Sequence, residues 1–519
     1  MDMETLLSFQ WGAMLPEFII LGTATILAIL DLFLSKKVSR TILGWLGAAG
    51  IAAALISLAP QLGSQPVSIL FDTFYLDGFA IVFKFVLLLG TLLLILLATG
   101  SNDKEGMEKY KGEYYYLLLT ALLGGLIITS SLDMLTLFIG LELLSISSYI
   151  LVALRKKSLA SSESGMKYVL NGGIASAITL FGFSYLYGVT GTSNLREMGV
   201  QIAKGLDASL LYLVLIACIF VLVGLSFKMA TIPYHMWAPD VYEGAPTIVT
   251  GFLSVVSKAA GFVLFIRLVL VVFPSIEIVV GKRTWSGIEF FQDIFILVAI
   301  ITMFVGNIMA IRQRNVKRML AYSSIGHAGF LLAGFATLSV TSMEAVWFYL
   351  LAYTFMTVGV FAIIYVVTEK NCDRQEQVGS SPHVKGSADI SHFAGLYRTS
   401  PWMAVMMTVF LLSLAGIPGT AGFIAKLQII MSALNGETMQ FYLVVSIIIA
   451  TILSYVYYFS IIIQLFFRPA ATEVKPGPTT PFSVIIGFCV FATIWLGILP
   501  NTALDFFTNT FQSLSFFLE

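Results

Sequence analysis

Charge is what this sequence has least of. Only 11% of its 519 residues are Asp, Glu, Lys or Arg, whereas a soluble globular chain carries about 25%. With 58% hydrophobic residues and a mean hydropathy of +0.92, the chain reads as a polytopic membrane protein, and its length no longer sets a domain count. The formal net charge is zero, so no basic surplus points to nucleic acid. Cysteine is scarce as well. Cys218, Cys372 and Cys489 are far apart and form no C-x-x-C spacing, so neither an iron–sulfur cluster nor a zinc site is supported. No glycine-rich phosphate loop and no flavin or nicotinamide fingerprint occurs. The start, Met1-Asp2-Met3-Glu4, is acidic where a signal peptide is basic, so the first apolar run is expected to be retained.

What is abundant is long apolar runs. About 20 apolar residues suffice for a helix to cross the hydrocarbon. Such runs fall near 15–34, 41–59, 76–99, 114–131, 133–153, 166–190, 208–232, 246–273, 290–311, 317–338, 343–367, 402–432, 440–467 and 482–500. They predict an all-α polytopic membrane fold of 14 spans, numbered here in chain order. Placing the loop after span 1 in the cytoplasm and alternating leaves Arg196, Lys204, Lys282 and Arg283 as the only outer-loop basic residues. Clusters such as Arg155-Lys156-Lys157 and Arg312 to Arg318 then lie inside, which satisfies the positive-inside rule and puts both termini on the outer side. Residues 369–400 read as a flexible cytoplasmic loop. Its His383, His392, Cys372 and Asp389 fit no metal-site spacing and read as a solvated segment.

Against this background Glu142, Lys228, Lys258 and Lys426 stand out, because each lies inside an apolar run. A charge at the centre of a membrane helix costs roughly 2.5–3.5 kcal/mol, and chains that keep one use it to line an ion path or a water-filled cavity. Glu142 and Lys258 fall near the middle of spans 5 and 8, and His327 in span 10 follows a basic loop. Lys228 and Lys426 flank helix breakers: Pro233 followed by His235 in one case, Gly416 and Pro418 in the other. Broken helices at matched places in two halves point to a transporter's ion site. The halves match as two inverted five-helix repeats, spans 4–8 and 9–13, each broken in its fourth helix. The predicted organisation is residues 1–113 as an N-terminal three-helix segment, 114–273 and 290–467 as the repeats, and 482–519 as a C-terminal helix and tail. A buried lysine holds its proton less firmly and a nearby carboxylate restores that hold, so such a series can pass protons. Blander readings stand beside this one. Glu142 and Lys228 can be a structural ion pair, Lys84 can pair with Asp77 or another helix, and His327 and His235 can be packing residues. Arg267, near a helix end, is expected to snorkel.

The stretch from Phe227-Lys228 through Pro233, His235 and Trp237 to Asp240-Val241-Tyr242-Glu243-Gly244-Ala245-Pro246 resembles a signature of the antiporter-like membrane subunits of respiratory complex I. So do Gly140-Leu141-Glu142, Ser257-Lys258-Ala259, Ala321-Tyr322-Ser323-Ser324 with His327, and Gly416-Ile417-Pro418 to Lys426. The resemblance covers nearly the whole chain. It is similar to the N-type branch, equivalent to subunit 2 of the organelle enzymes: its broken twelfth helix carries lysine where the M type has glutamate, and the chain stops soon after span 14, without the lateral helix of the L type. Gly419 departs from the family, which often has a larger residue there.

The resemblance implies a proton-translocating subunit of an NADH:quinone oxidoreductase, and so an enzyme only as part of that translocase. Glu142 would couple to Lys228 in the first half-channel, Lys258 would be the central relay, and Lys426 would lead to the outer face. His327 would lie on the central hydrophilic axis, and His235 is a candidate for the same path. NADH, FMN, iron–sulfur clusters and quinone would belong to other subunits, and this chain would carry no cofactor. Its partners would be the other membrane and peripheral subunits and the lipid bilayer, with no nucleic acid. The membrane would be a cell (inner) membrane, with a thylakoid or organelle membrane left open. The alternative is a subunit of a multisubunit Na⁺/H⁺ antiporter or of a ferredoxin- or hydrogenase-linked complex. Sodium sites favour clustered carboxylates and carbonyls, which the centre of this chain lacks apart from Glu142.

Overall fold

Thirteen stretches fold into helices long and apolar enough to cross a membrane. They correspond to spans 1–11, 13 and 14. The computed structural model describes residues 8–511 apart from 36, 71, 102–109, 281–282, 340, 378–387, 436–439 and 470–479. Spans 1 to 6 are Leu15–Phe33, Thr41–Leu58, Gly78–Thr99, Lys111–Thr129, Met134–Val152 and Leu159–Thr190. Span 7 is Ala208–Met229, followed by the short helix Trp237–Gly244. Span 8 runs from Thr247 to Val272, spans 9 and 10 are Gly287–Ile311 and Val316–Ala336, and span 11 is Ser342–Gln377. Spans 13 and 14 are Phe441–Phe467 and Thr480–Ile498. Span 12 is two pieces, Pro401–Ala415 and Ala421–Leu434, each too short to cross alone.

Five of the spanning helices start where the sequence supplies a side-chain acceptor for their unpaired N–H groups. Asp77, Asp133, Ser158 and Asn315 cap spans 3, 5, 6 and 10, and Ser286 with Glu289 forms a capping box on span 9. Spans 8, 10 and 11 form the centre and are almost wholly buried, whereas spans 1, 6 and 13 bury only about a third of their residues. The outer helices accordingly turn residues such as Ile26, Ile174 and Ile452 outward. Span 11 is the axis of the core. Its Trp347 donates to the Val82 carbonyl of span 3 at 2.9 Å.

Several features depart from the sequence reading. The helix of span 11 extends to Gln377, into the segment expected to be loop, while His383 lies outside the described residues. Span 8 contains one π-helical turn, Leu253–Ser257, directly before Lys258. After span 14 a further short helix, Asn501–Phe511, packs on span 3 by burying Ala503, Phe507 and Thr510. Arg267 does not snorkel. It is 1% exposed and bonds Asp77 at 2.6 and 3.1 Å. The guanidinium fork matches a carboxylate two-to-two, and inside the protein that match outweighs reaching for water. Lys84, by contrast, takes one of its two expected roles: it pairs with another helix, at 2.6 Å from Glu17 of span 1, with both side chains buried.

Candidate functional site

The break after span 7 begins earlier than Pro233. Ala230 takes a left-handed conformation (φ 57°), and Thr231 N–H bonds back to the Ser226 carbonyl, closing the helix directly after Lys228. Pro233 follows a cis peptide bond. Trp237 donates at 2.9 Å to the Phe227 carbonyl, which also accepts the Ala230 N–H, and stacks on Tyr168 with ring centroids 4.6 Å apart. Lys228 is thus held in the last turn of its helix, 3% exposed. Its ammonium donates to Ser145 at 3.0 Å and reaches the Tyr168 hydroxyl at 3.5 Å. Gly261 of span 8 lets the two helices meet: a Cβ there would lie 3.2 Å from the Lys228 backbone and stem.

Glu142 stands one helical turn before Ser145 and accepts from Ser176 at 2.5 Å. It is half-buried and does not touch Lys228 directly; Ser145 and the width of one helical turn lie between them. Tyr168 continues the series, since its hydroxyl also interacts with the side chain of Ser257, the neighbour of Lys258.

Lys258 is 2% exposed and donates both to the carbonyl and to the hydroxyl of Ser324 in span 10. Ser254, one turn earlier, lies 3.4 Å from the Ser324 hydroxyl and 2.8 Å from that of Tyr353. A π-turn adds one residue to the turn and shifts the face that follows, a device found often at functional sites; here it sets Ser254 and Lys258 side by side on span 10. His327, one turn beyond Ser323 and Ser324, lies between two phenols, with Nδ1 2.6 Å from Tyr349 and Nε2 3.0 Å from Tyr458. Tyr458 also bonds Ser323.

Lys426 sits in the second piece of span 12 and reaches back to the first. Its ammonium donates to the carbonyls of Leu414 at 3.2 Å and Ala415 at 2.9 Å. These are C-terminal carbonyls left open by the break, the negative end of the half-helix dipole. Gly416 (φ 84°) makes the break, and a Cβ on it would lie 3.0 Å from Lys426 Cδ. The ammonium also faces the Phe330 ring at 4.8 Å. Gly419, the family departure, has φ 86°, a conformation that suits glycine.

The structure therefore brings Lys258, His327 and Lys426 around one helix, span 10, and sets Tyr168 between Lys228 and Ser257, the neighbour of Lys258. His235 stands apart, half-buried, with Nδ1 3.3 Å from the Pro233 carbonyl. Burial pulls its imidazole below the ordinary value, against a smaller opposing effect of that carbonyl. Sequence reasoning assigned no role to Ser145, Tyr168, Ser254, Ser324, Tyr353 and Tyr458. The available signal was hydroxyls recurring inside apolar spans 5, 6, 8, 10, 11 and 13.

Further charged clusters lie outside this series. At the Met229 end, Asp240 and Glu243 of the short helix bond Arg318 at 2.6 and 3.0 Å, and Asp240 bonds Lys167 at 2.8 Å. Partial burial pushes the Asp240 carboxyl up, but the bonds and charges of Lys167 and Arg318 outweigh it, leaving the group below the usual carboxylate range. At the other end of the core, the pairs Glu17–Lys84 and Asp77–Arg267 fasten span 3 to spans 1 and 8, and Arg267 adds a bond to the Thr129 carbonyl of span 4.

Comparison with known proteins follows this geometry. Residues 131–454 match the family described as NADH:quinone oxidoreductase/Mrp antiporter, TM. The chain is 50% identical to the NADH-quinone oxidoreductase subunit N of Anoxybacillus flavithermus, over 100% of both chains. A chain of respiratory complex I from Thermus thermophilus, solved with bound aureothin, superposes with a TM-score of 0.75 at 28% identity, covering 94% of this chain and 98% of that one. A chain of the Mrp complex from Dietzia shares the fold with a TM-score of 0.80 at 21% identity, covering 98% and 99%.

Proposed function

Because this chain belongs to the NADH:quinone oxidoreductase/Mrp antiporter family, and matches its subunit N members from end to end, we propose that Glu142, Lys228, Lys258, His327 and Lys426 are its proton path. The chain is a multi-pass, proton-translocating membrane subunit of an NADH-quinone oxidoreductase, and its partners are the other subunits of that complex. The observation that carries the path is the near-continuous run of hydroxyls and lysines through the buried core, from Ser145–Lys228–Tyr168 to Ser324–Lys258 and on to His327.

A proton taken from the cytoplasmic side reaches Lys228, passes through Tyr168 and Ser257 to Lys258, and leaves by Lys426 to the outer side. Glu142 acts on Lys228 through space, one turn beyond Ser145, so a change in its charge shifts how firmly Lys228 holds its proton. His235 stands beside the uptake end rather than in the line. Each proton moved works against about 2.3 kcal/mol per 100 mV, a cost met by electron transfer from NADH to quinone on other subunits, which carry the flavin and iron–sulfur clusters. Spans 4–8 and 9–13 serve as the two inverted half-channels, residues 1–113 and 482–519 flank them, both termini face outward, and the membrane is the cell membrane.

The test is Lys258→Ala in the assembled complex, reconstituted in vesicles. Pumped protons per electron should fall while the complex still assembles. Undiminished pumping per electron would rule out the relay. The antiporter alternative is separated by purifying the tagged chain from native membranes: quinone reductase subunits should come with it, and copurification with antiporter subunits and no redox centres would overturn the assignment.

A further inference from the structure

A small cavity lies where the clusters around Lys258, His327 and Lys426 meet. Its walls include Ser254, Ser323, Tyr353, Thr357 and Leu414. Ser254 and Tyr353 belong to the Lys258 cluster, since Ser254 bonds Tyr353 and neighbours Ser324. Ser323 belongs to the His327 cluster through Tyr458. Leu414 supplies one of the carbonyls that hold Lys426. No direct bond among these residues joins Lys258 to Lys426, and the cavity occupies that gap. It has room for about one water.

Thr357 is the informative wall. Its hydroxyl is buried, in a residue 4% exposed, and it has no well-formed hydrogen bond. The Tyr353 hydroxyl, from one turn earlier in span 11, is its polar neighbour. A buried hydroxyl left without a well-formed hydrogen bond forfeits the bonds it would make to water. A threonine on a helix usually avoids that loss by bonding the carbonyl four residues back, as Thr354 does with Leu350. A buried water typically makes about three hydrogen bonds, and the four hydroxyls of this cavity can provide them.

We infer that the cavity is a single-water site and that Thr357 is the positioning residue that holds the water there. This rests on the relay reading above. The water accepts one proton from the Ser324–Ser254–Tyr353 side, as Lys258 gives one up to that chain, and releases another from its opposite face. The neutral Lys426 amine, leaving the Leu414 carbonyl, takes it. One proton moves, and Lys258 ends neutral while Lys426 ends charged.

The experiment compares Thr357→Val, which keeps the shape and removes the hydroxyl, with Thr357→Ser, which keeps the hydroxyl. Val360→Leu, which fills the cavity from its apolar wall, is an independent variant. All are made in the full complex, checked for assembly, and read as protons pumped per electron in vesicles beside Lys258→Ala. T357V and V360L should lower the ratio by the share this subunit carries, and T357S should restore it. A high-resolution map of the wild-type complex should show one ordered water against Thr357, absent in T357V. Full pumping by both T357V and V360L while K258A fails would overturn the water site and leave the relay standing. Full pumping by K258A would overturn the relay itself.

Discussion

The ammonium of Lys258 has both of its close acceptors on a single residue, Ser324. Removing the hydroxyl in Ser324→Ala leaves the carbonyl in place, so the lysine loses one charge-assisted bond, worth about 1.5–3 kcal/mol. Proton transfer is expected to slow by roughly tenfold or more, with pumping per electron reduced less than in K258A; vesicle acidification rates check this. Lys84 makes the opposite case. Among the described residues no bond connects it to the lysine series, and its partner is Glu17. Lys84→Met would strand a buried carboxylate and destabilise by about 3–5 kcal/mol, seen as poor assembly on native gels and a lower thermal midpoint. The double variant Glu17→Gln with Lys84→Met should recover most of that loss. If it does not, the pair does more than balance charge.

Among the elements, the two broken helices hold their lysines differently. Lys228 ends the piece before its break, whereas Lys426 lies in the piece after and folds back on the open carbonyls. Gly416 and Gly419 both have left-handed φ, so an alanine at either adds strain of about 1–2 kcal/mol. Only at Gly416 would the new methyl press on Lys426, because nothing lies within 4 Å of a Cβ at Gly419. Gly416→Ala should therefore impair pumping, whereas Gly419→Ala should lower the thermal midpoint with pumping per electron preserved. Equal effects on pumping would refute the contact argument.

Both breaks were legible because a proline inside an apolar run removes a backbone donor and clashes with the turn before it. All the crossings were legible for the same kind of reason, as hydropathy has a length scale set by the bilayer. The π-turn before Lys258 was not, since Leu253 to Ser257 is ordinary helical sequence and only packing selects the wider turn. Nor was Asn501–Phe511, whose threonines and asparagines mask a narrow apolar stripe.

Across the whole molecule, contacts between residues distant in sequence escaped the reading. Arg267 and Asp77 are 190 residues apart, and each alone looks like a helix-end charge. The network around Asp240 joins spans 6 and 10 to the short helix after span 7 in the same way. Its carboxyl is held below the ordinary value in the folded protein. The stability it adds is fully present above the unfolded carboxylate value near pH 4 and is lost as pH falls through the lowered folded value. Because the group is part-exposed and solvent screens it, the effect is modest, of order 1 kcal/mol or less. The thermal midpoints of wild type and Asp240→Asn should differ at pH 7 and converge in strong acid. A gap that persists there would exclude the charge network as its source.

The fastening of span 3 also bears on how the chain is made. Glu17 and Lys84 are both present once the third span has been synthesised, so that pair can close early. Asp77 caps span 3 at once through the Ala80 amide, but its guanidinium partner arrives only with span 8. Until then the carboxylate sits at the helix start, at the membrane edge and within reach of water. Span 8 carries Lys258 and Arg267 into the bilayer together, and both find their partners only on helices other than their neighbours in the chain. The early helices can therefore complete their packing around Asp77 only once the eighth arrives. A nascent chain halted before Arg267 should be the stage at which quality-control proteases find this protein.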